Sequence, residues 1–182
     1  NSGYCKAILC RVERKRYLRE TLLCSGISGG LAVFLPVLLS DIVWIINGEP
    51  NTGEQMGINY FTVFDGTVYG ELQFVWNGFF LVLFLLLLAF LFGASWSVIG
   101  LCVSALIPNR YITLAAPFAL FFGAHLILYR LDKPLLFSPA NVLMPATDFI
   151  PFPAFPLLYQ LGMLALASAL CWKLLERRLR DV

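Results

Sequence analysis

The stretch Leu72–Asn109, LQFVWNGFFLVLFLLLLAFLFGASWSVIGLCVSALIPN, contains no charged residue. A membrane-spanning helix needs about 20 predominantly apolar residues to cross a hydrocarbon core of about 30 Å. As a single helix, residues 72–107 would measure roughly 54 Å at about 1.5 Å per residue. The pattern therefore predicts either one long helix, tilted or bent at Gly78 or Gly93, or a tight hairpin of two spans.

The whole chain has the composition of an integral membrane protein. Of its 182 residues, 59% are hydrophobic and 13% are charged, whereas ordinary soluble domains contain about 25% charged residues. Segments long and apolar enough to span a membrane occur at residues 21–46, 72–107, 111–130 and 156–175. The predicted fold class is therefore an all-α integral membrane protein with about four transmembrane helices, which form one transmembrane domain over residues 1–182.

Basic residues flank the first and last spans and determine the predicted orientation. Six lie within residues 6–19 and four within residues 173–180. The positive-inside rule places both flanks in the cytoplasm, which requires an even number of spans and favours one long helix at residues 72–107. The chain is thus predicted to lie in a cell membrane with both termini cytoplasmic. Residues 1–20 would be a cytoplasmic basic segment, and residues 48–71 and 131–155 would be outer loops.

The second outer loop is unusually rich in proline. Residues 132–156, DKPLLFSPANVLMPATDFIPFPAFP, hold six of the ten prolines in the chain. Prolines at this density prevent a continuous helix. Because the segment is also apolar, and irregular backbone at membrane depth must be buried in protein, a broken or re-entrant segment is predicted before the last helix. An ordinary interfacial loop is the alternative.

The stretch Cys24–Gly30, CSGISGG, is compatible with two roles. Its Gly-x-Ser-Gly pattern surrounds the nucleophile of some intramembrane serine proteases, but Ser28 and the only histidine, His125, differ in predicted depth by about 10 Å. A catalytic pair requires hydrogen-bond contact, so no catalytic residue is predicted. Small residues favour close helix packing instead. The predicted packing residues are Ser25, Gly26, Ser28, Gly29 and Gly30 in the first span and Gly93 and Gly100 in the second.

The other polar residues of the spans do not indicate an enzyme. Asp41 falls at the outer interface and is interpreted as a solvated carboxylate, with a role in a substrate path as the alternative. His125 is interpreted as a hydrogen-bonded packing residue rather than a proton relay. One histidine and scattered thiols predict no metal site, and the absence of a Walker-type phosphate loop predicts no bound ATP or other cofactor in this chain. None of the five cysteines lies in a predicted outer loop, which favours free thiols.

The basic segment before the first span mixes charges of both signs with apolar residues. Residues 11–20 read RVERKRYLRE. Such a segment is predicted either to anchor the chain to anionic headgroups or to dock a cytoplasmic partner, as an amphipathic helix lying along the membrane.

Three stretches of the chain share a pattern with a known family. They are residues 11–39, RVERKRYLRETLLCSGISGGLAVFLPVLL; residues 93–118, GASWSVIGLCVSALIPNRYITLAAPF; and residues 134–145, PLLFSPANVLMP, before a last span with a basic C-terminus. Together they resemble the transmembrane permease subunit of a type-2 ABC transporter, in the ABC exporter permease family. Such permeases usually have six spans with a broken segment between the last two. The resemblance implies that this chain carries the last four spans and lacks the first two, an expectation that agrees with a first residue, Asn1, that is not Met.

The resemblance also implies a mechanism and partners. Two permeases, as a second copy or a homologous subunit, would line a substrate path in a bacterial plasma membrane, and separate ATP-binding subunits would dock on their cytoplasmic loops. The chain itself would not be an enzyme, and nucleic acid would not be a partner. Residues 4–20 would correspond to the first coupling segment and residues 108–110 to the second cytoplasmic turn. The candidate coupling residues are Arg11, Glu13, Arg14, Arg16, Tyr17, Pro108, Asn109 and Arg110.

Other functions remain open at this point. A non-transport membrane scaffold or assembly protein and a secondary carrier are the main alternatives, although the spans hold almost none of the buried acids that ion-coupled carriers place near the midplane. An apolar path favours lipids, peptides or hydrophobic drugs as substrates over small ions.

Overall fold

A computed structural model of the chain describes residues 13–47, 79–107, 109–130, 137–143 and 152–180. The described residues form five α-helices: α1 (Arg14–Asn47), α2 (Phe79–Leu106), α3 (Arg110–Arg130), α4 (Pro139–Leu143) and α5 (Phe155–Arg180). Four of them, α1, α2, α3 and α5, are long and apolar enough to cross a membrane. The chain is therefore an all-α, multi-pass membrane protein with about four spans, as its composition predicts.

Helix α1 begins seven residues earlier than the predicted first span. Residues 14–20 form its first two turns, and the exposed side chains of Arg16 and Glu20 pair there at 2.7 Å. These residues are Arg, Lys, Tyr, Leu and Glu, most of which are strong helix formers, so the helix of the span continues through them. Within residues 14–20 the structure has no separate amphipathic helix lying along the membrane, and that prediction is wrong for this part of the basic segment.

Helix α2 is continuous over its 28 residues and contains no break at Gly93. The hairpin alternative is therefore wrong for residues 79–106, whereas residues 72–78, with Gly78, lie outside the described part. Leu85, Leu86, Leu88 and Ala89 form a broad buried face of α2, and Ala94 and Val98 are buried on its opposite side closer to Leu106, whereas Leu83 and Leu87 are exposed. A helix that is apolar all round occupies the interior of a bundle, and α2 indeed contacts each of the other four helices.

Helix α3 lies at the periphery of the bundle. Leu114, Phe118 and Phe122 are more than half exposed, which suits side chains that face lipid. The Phe121 ring holds α3 against α2, because its centroid lies 5.7 Å from those of both Phe92 and Trp96 in edge-on arrangements. Such aromatic pairs add about 0.5–1.5 kcal/mol beyond the area they bury.

The proline-rich segment contributes the short helix α4, which contacts α2, α3 and α5. Ser138, Pro139 and Val142 are buried there, and the Ser138 carbonyl accepts the Val142 N–H in the first helical turn. Proline at the first helical position loses no hydrogen bond. Residues 137–143 thus form a short, interrupted element, while residues 131–136 and 144–151 of the predicted re-entrant segment lie outside the described part.

The basic ends of the helices lie at one end of the bundle. Helices α1 and α2 run antiparallel, since Ser25 lies opposite Ser97 and Gly29 lies opposite Gly93. The guanidinium of Arg178, near the end of α5, donates to the Ser104 carbonyl near the end of α2 at 2.8 Å. The start of α1 and the ends of α2 and α5 therefore share one face, which we call the basic end.

Candidate functional site

The closest contact in the bundle joins the backbones of α1 and α2. A Cβ atom placed on Gly29 would lie 2.7 Å from the Gly93 carbonyl oxygen and would also overlap Ser97. A Cβ atom on Gly93 would overlap the Gly29 carbonyl and lie 2.8 Å from Val33 Cγ2. Glycine is therefore required at both positions, because small residues allow helix backbones to approach this closely in lipid.

A serine pair fixes the register of the same contact one turn toward the basic end. The Ser97 hydroxyl donates to the Ser25 carbonyl at 2.8 Å, and the two hydroxyl oxygens are 3.0 Å apart. Ser97 was not among the residues predicted from the sequence. Its signal was the spacing Gly93-x-x-x-Ser97, which repeats on α2 the Ser25-x-x-x-Gly29 spacing of α1.

Gly30 makes room for a large side chain on the opposite helix. A Cβ atom on Gly30 would lie 2.6 Å from the Phe90 ring, which also packs edge-on against Phe34 with centroids 6.4 Å apart. The contact therefore changes from backbone against backbone at Gly29 to an aromatic side chain seated over Gly30.

The remaining predicted packing residues make looser contacts. A Cβ atom on Gly26 would lie 3.9 Å from the Val98 side chain of α2, an ordinary van der Waals distance, and one on Gly100 would lie 3.4 Å from Pro117 of α3. Ser28 is exposed, and its hydroxyl donates to the Ser25 carbonyl in its own helix at 3.1 Å. Ser28 therefore does not contribute to the described α1–α2 contact, since its exposed hydroxyl bonds within its own helix.

The only histidine is paired with a different serine. His125 Nδ1 on α3 lies 2.8 Å from the hydroxyl of Ser138, just before α4. Ser138 is fully buried, so a substrate has no access to its hydroxyl. This geometry gives the pair a linking role between α3 and α4, and it leaves Ser28 without the general base that a nucleophilic serine requires.

The candidate coupling residues divide between two elements of the basic end. Glu13, Arg14, Arg16 and Tyr17 lie at the start of α1. Asn109 caps α3, where its side-chain oxygen accepts the Tyr111 N–H at 2.9 Å, as residues at helix N-termini commonly do. The side-chain positions of three candidates are not described. Arg11 and Pro108 lie outside the described residues, and Arg110 is described only as part of the helical backbone of α3.

A groove of about 800 Å³ runs between α2 and α5 and was not predicted from the sequence. Its walls are apolar, and they include Ile99, Val103, Met163 and Leu166. Lys173 and Arg177, the charged side chains among its described lining residues, lie toward the basic end. Gly162 also lines the groove, and nothing lies within 4 Å of the position its Cβ atom would take.

The described cysteines are free thiols. They are Cys24, Cys102 and Cys171, and the Cys102 thiol donates to the Ala167 carbonyl at 3.5 Å between α2 and α5. Within the described ranges, no three His, Cys, Asp or Glu side chains come together in a way that could hold a metal ion.

Comparisons with protein-family models, curated proteins and solved structures found no match to this chain. The function is therefore inferred from the geometry of the bundle itself.

Proposed function

We propose that this chain is the membrane-spanning permease subunit of an ATP-driven exporter of the ABC type. The observation that carries the proposal is the continuity of α1. The helix runs without interruption from the charged turns at residues 14–20 to the glycine contact with α2. A displacement applied at the basic end would therefore reach the Gly29–Gly93 contact through a single rigid helix.

The α1–α2 contact supports this mechanism because it consists largely of small side chains. Alternating access requires packed elements that have two arrangements and shift between them. At Gly29, Gly93 and the Ser25–Ser97 pair the helices meet through backbone atoms and short hydroxyl side chains. Sliding or rotation there displaces few large side chains, so this contact is the part of the bundle best suited to change during transport.

The basic end offers the proposed docking surface for a separate ATP-binding subunit. Glu13 and the Arg16–Glu20 pair are exposed there, and the α2–α3 turn with Asn109 lies at the same end of the bundle. ATP would bind and be hydrolysed on the partner, since this chain has no Walker-type phosphate loop. A second permease copy, or a homologous permease, would complete the substrate path, and both termini would be cytoplasmic in a bacterial plasma membrane.

The experiment is purification of the natural full-length protein from its own membrane in mild detergent, followed by mass spectrometry of the proteins that co-purify. A stoichiometric partner with a Walker-type phosphate loop is the expected result. In the variant R14E/R16E/Y17A we expect loss of that partner with the bundle intact. The matched control is R130E, which reverses an exposed charge at the other end of α3.

Two outcomes would contradict the proposal at different levels. If the intact protein purifies with no ATP-binding partner, the exporter assignment is wrong and a scaffold or secondary carrier takes its place. If the triple variant retains the partner as well as R130E does, the permease assignment stands and the coupling role of residues 14–17 is wrong.

A further inference from the structure

We propose that the groove between α2 and α5 binds one anionic phospholipid, with an acyl chain along its apolar walls and the headgroup phosphate beside Lys173 and Arg177. The inference does not depend on the exporter proposal, because it rests on the shape and charge of the groove and on the position of its two cations at the basic end.

The dimensions of the groove suit one acyl chain of one leaflet. Its volume of about 800 Å³ falls in the range of small-molecule binding sites, which is about 300–1,000 Å³. Met163 and Lys173 both line it, and because Lys173 follows Met163 by ten positions, the two lie roughly 15 Å apart along the helix. That distance is half of the hydrocarbon core of about 30 Å. Gly162 leaves space beyond Met163 for the end of the chain.

The charges of the groove are complementary to an anionic headgroup. Lys173 and Arg177 are exposed, lie one helical turn apart on α5 and form no ion pair within the described part of the chain. Arg178 differs, because its guanidinium donates to the Ser104 carbonyl and holds this end of α5 against α2. A lysine and an arginine side by side can donate several charge-assisted hydrogen bonds to one phosphate.

The position of the two cations favours a lipid over a helix from another protein. They lie at the basic end, which the positive-inside rule places at the cytoplasmic leaflet, where anionic lipids are concentrated. The described groove walls are otherwise apolar, apart from the hydroxyl group of Tyr159 and the thiol of Cys102. One negative group followed by a long hydrocarbon chain matches this arrangement, whereas a helix would need a suitably placed acid and side chains that fit the groove.

The test is photocrosslinking of the natural full-length protein in nanodiscs of phosphatidylcholine. A trace of either phosphatidylglycerol or phosphatidylcholine with a diazirine in its acyl chain is added, and the adducts are mapped by peptide mass spectrometry. We expect adducts of the phosphatidylglycerol probe at residues 99–106 and 158–170, roughly tenfold above those of the phosphatidylcholine probe. Unlabelled phosphatidylglycerol should compete with the probe, whereas inorganic phosphate should not.

Two pairs of variants distinguish the site from general attraction to the membrane. K173Q/R177Q should reduce the phosphatidylglycerol adducts to the level of the phosphatidylcholine probe, while R14Q/K15Q, which removes two charges from α1 at the same end, should not. G162L should block the groove and reduce the phosphatidylglycerol adducts. G123L also places a leucine side chain in open space, but on α3, and it should leave the adducts unchanged.

K173Q/R177Q keeps the test decisive even if G162L fails to fold, because both substituted side chains are exposed and their replacement should not disturb the bundle. Equal labelling by the two probes, or unchanged labelling in K173Q/R177Q, would overturn the proposal. So would crosslinks between two copies of the chain through residues 158–170, because a second copy would then occupy the groove.

Discussion

Gly29 and Gly93 are the two residues whose side chains the bundle can least accommodate. At either position a methyl group would overlap the backbone of the opposite helix, and backbone atoms cannot move aside as a flexible side chain can. Relief requires α1 and α2 to separate, which would also lengthen the hydrogen bond from Ser97 to the Ser25 carbonyl one turn away.

We therefore expect G29A and G93A each to lower the free energy of unfolding by about 1–3 kcal/mol, the usual cost of overpacking. The measurement is a denaturant or steric-trapping unfolding titration in bicelles. G123A is the matched control, because it adds the same methyl group to a helix in the same membrane but into open space. If G29A unfolds like G123A, the two backbones are not in contact.

Sequence reasoning identified the glycines but not the whole contact. Small residues spaced four apart indicate a packing surface, yet CSGISGG contains two such spacings, Ser25 to Gly29 and Gly26 to Gly30. In the structure both spacings face α2. Ser25 and Gly29 lie against Ser97 and Gly93, where the backbones meet. Gly30 instead makes space for the Phe90 ring. The sequence of one helix does not show this difference, because it depends on which side chains the opposite helix presents.

At the scale of the elements, a hydrogen bond of the described residues links the start of α4 to α3. Helix α4 has five residues, too few to be stable without tertiary contacts, and the His125–Ser138 hydrogen bond joins it to α3. The pairing was beyond sequence reasoning, because the proline-rich segment has no periodicity that would place Ser138 at the depth of His125.

We expect H125A and S138A each to destabilise the fold and H125A/S138A to cost little more than either single change. Hydrogen bonds between membrane helices average about 0.6 kcal/mol and reach about 1.7 kcal/mol, and the complete burial of the Ser138 hydroxyl predicts a coupling energy toward the upper value. A double-mutant cycle of unfolding free energies measures it. S28A serves as control, because that exposed hydroxyl bonds only within its own helix. Additive costs would show that the two side chains do not interact.

The start of α1 shows why some element boundaries escape sequence reasoning. Hydropathy predicts the part of a helix that lies in lipid, so the charged residues before position 21 led to a predicted span that begins there. Helix formation depends on backbone propensity instead, and a run of Arg, Lys, Leu and Glu extends the same helix back to Arg14. Similarly, the absence of charge in residues 72–107 was compatible with either one long helix or two short ones. Only the basic residues outside that interval favoured a single helix.

At the scale of the whole molecule, the four spans alternate in direction along the chain. The ends of α2 and α5 therefore lie with the start of α1 at the basic end. The positive-inside rule predicts the same grouping of the basic flanks. The number of spans follows from composition, because each must bury its backbone polar groups within a helix. The order of the helices around α2 does not, since apolar side chains in lipid gain nothing from hydrophobic burial alone. Packing of small and aromatic residues decides which helices are neighbours, and here it brings α1, α3 and α5 around α2.

The predicted orientation in the membrane can be tested at the two ends of α3, because each end carries an exposed tyrosine. Tyr111 and Tyr129 lie near opposite ends of α3, and both are exposed, at 79% and 66%. Tyr111 follows Asn109 at the basic end, whereas Tyr129 lies one residue before the end of the helix. With the native cysteines replaced by alanine, a membrane-impermeant maleimide should label Y129C in intact cells and Y111C only after the membrane is permeabilised.

Because Y111C and Y129C both replace an exposed tyrosine of α3, a difference in their labelling does not come from side-chain type or burial. K15C adds a position on α1 that should be labelled like Y111C. The reverse pattern would place the basic end outside. It would then remove the ATP-binding partner from reach of residues 14–17, because ATP-binding subunits work in the cytoplasm, and it would place Lys173 and Arg177 in the leaflet with fewer anionic lipids. Labelling of both Y111C and Y129C in intact cells would mean that α3 does not cross the membrane, and the arrangement of four spans would be wrong.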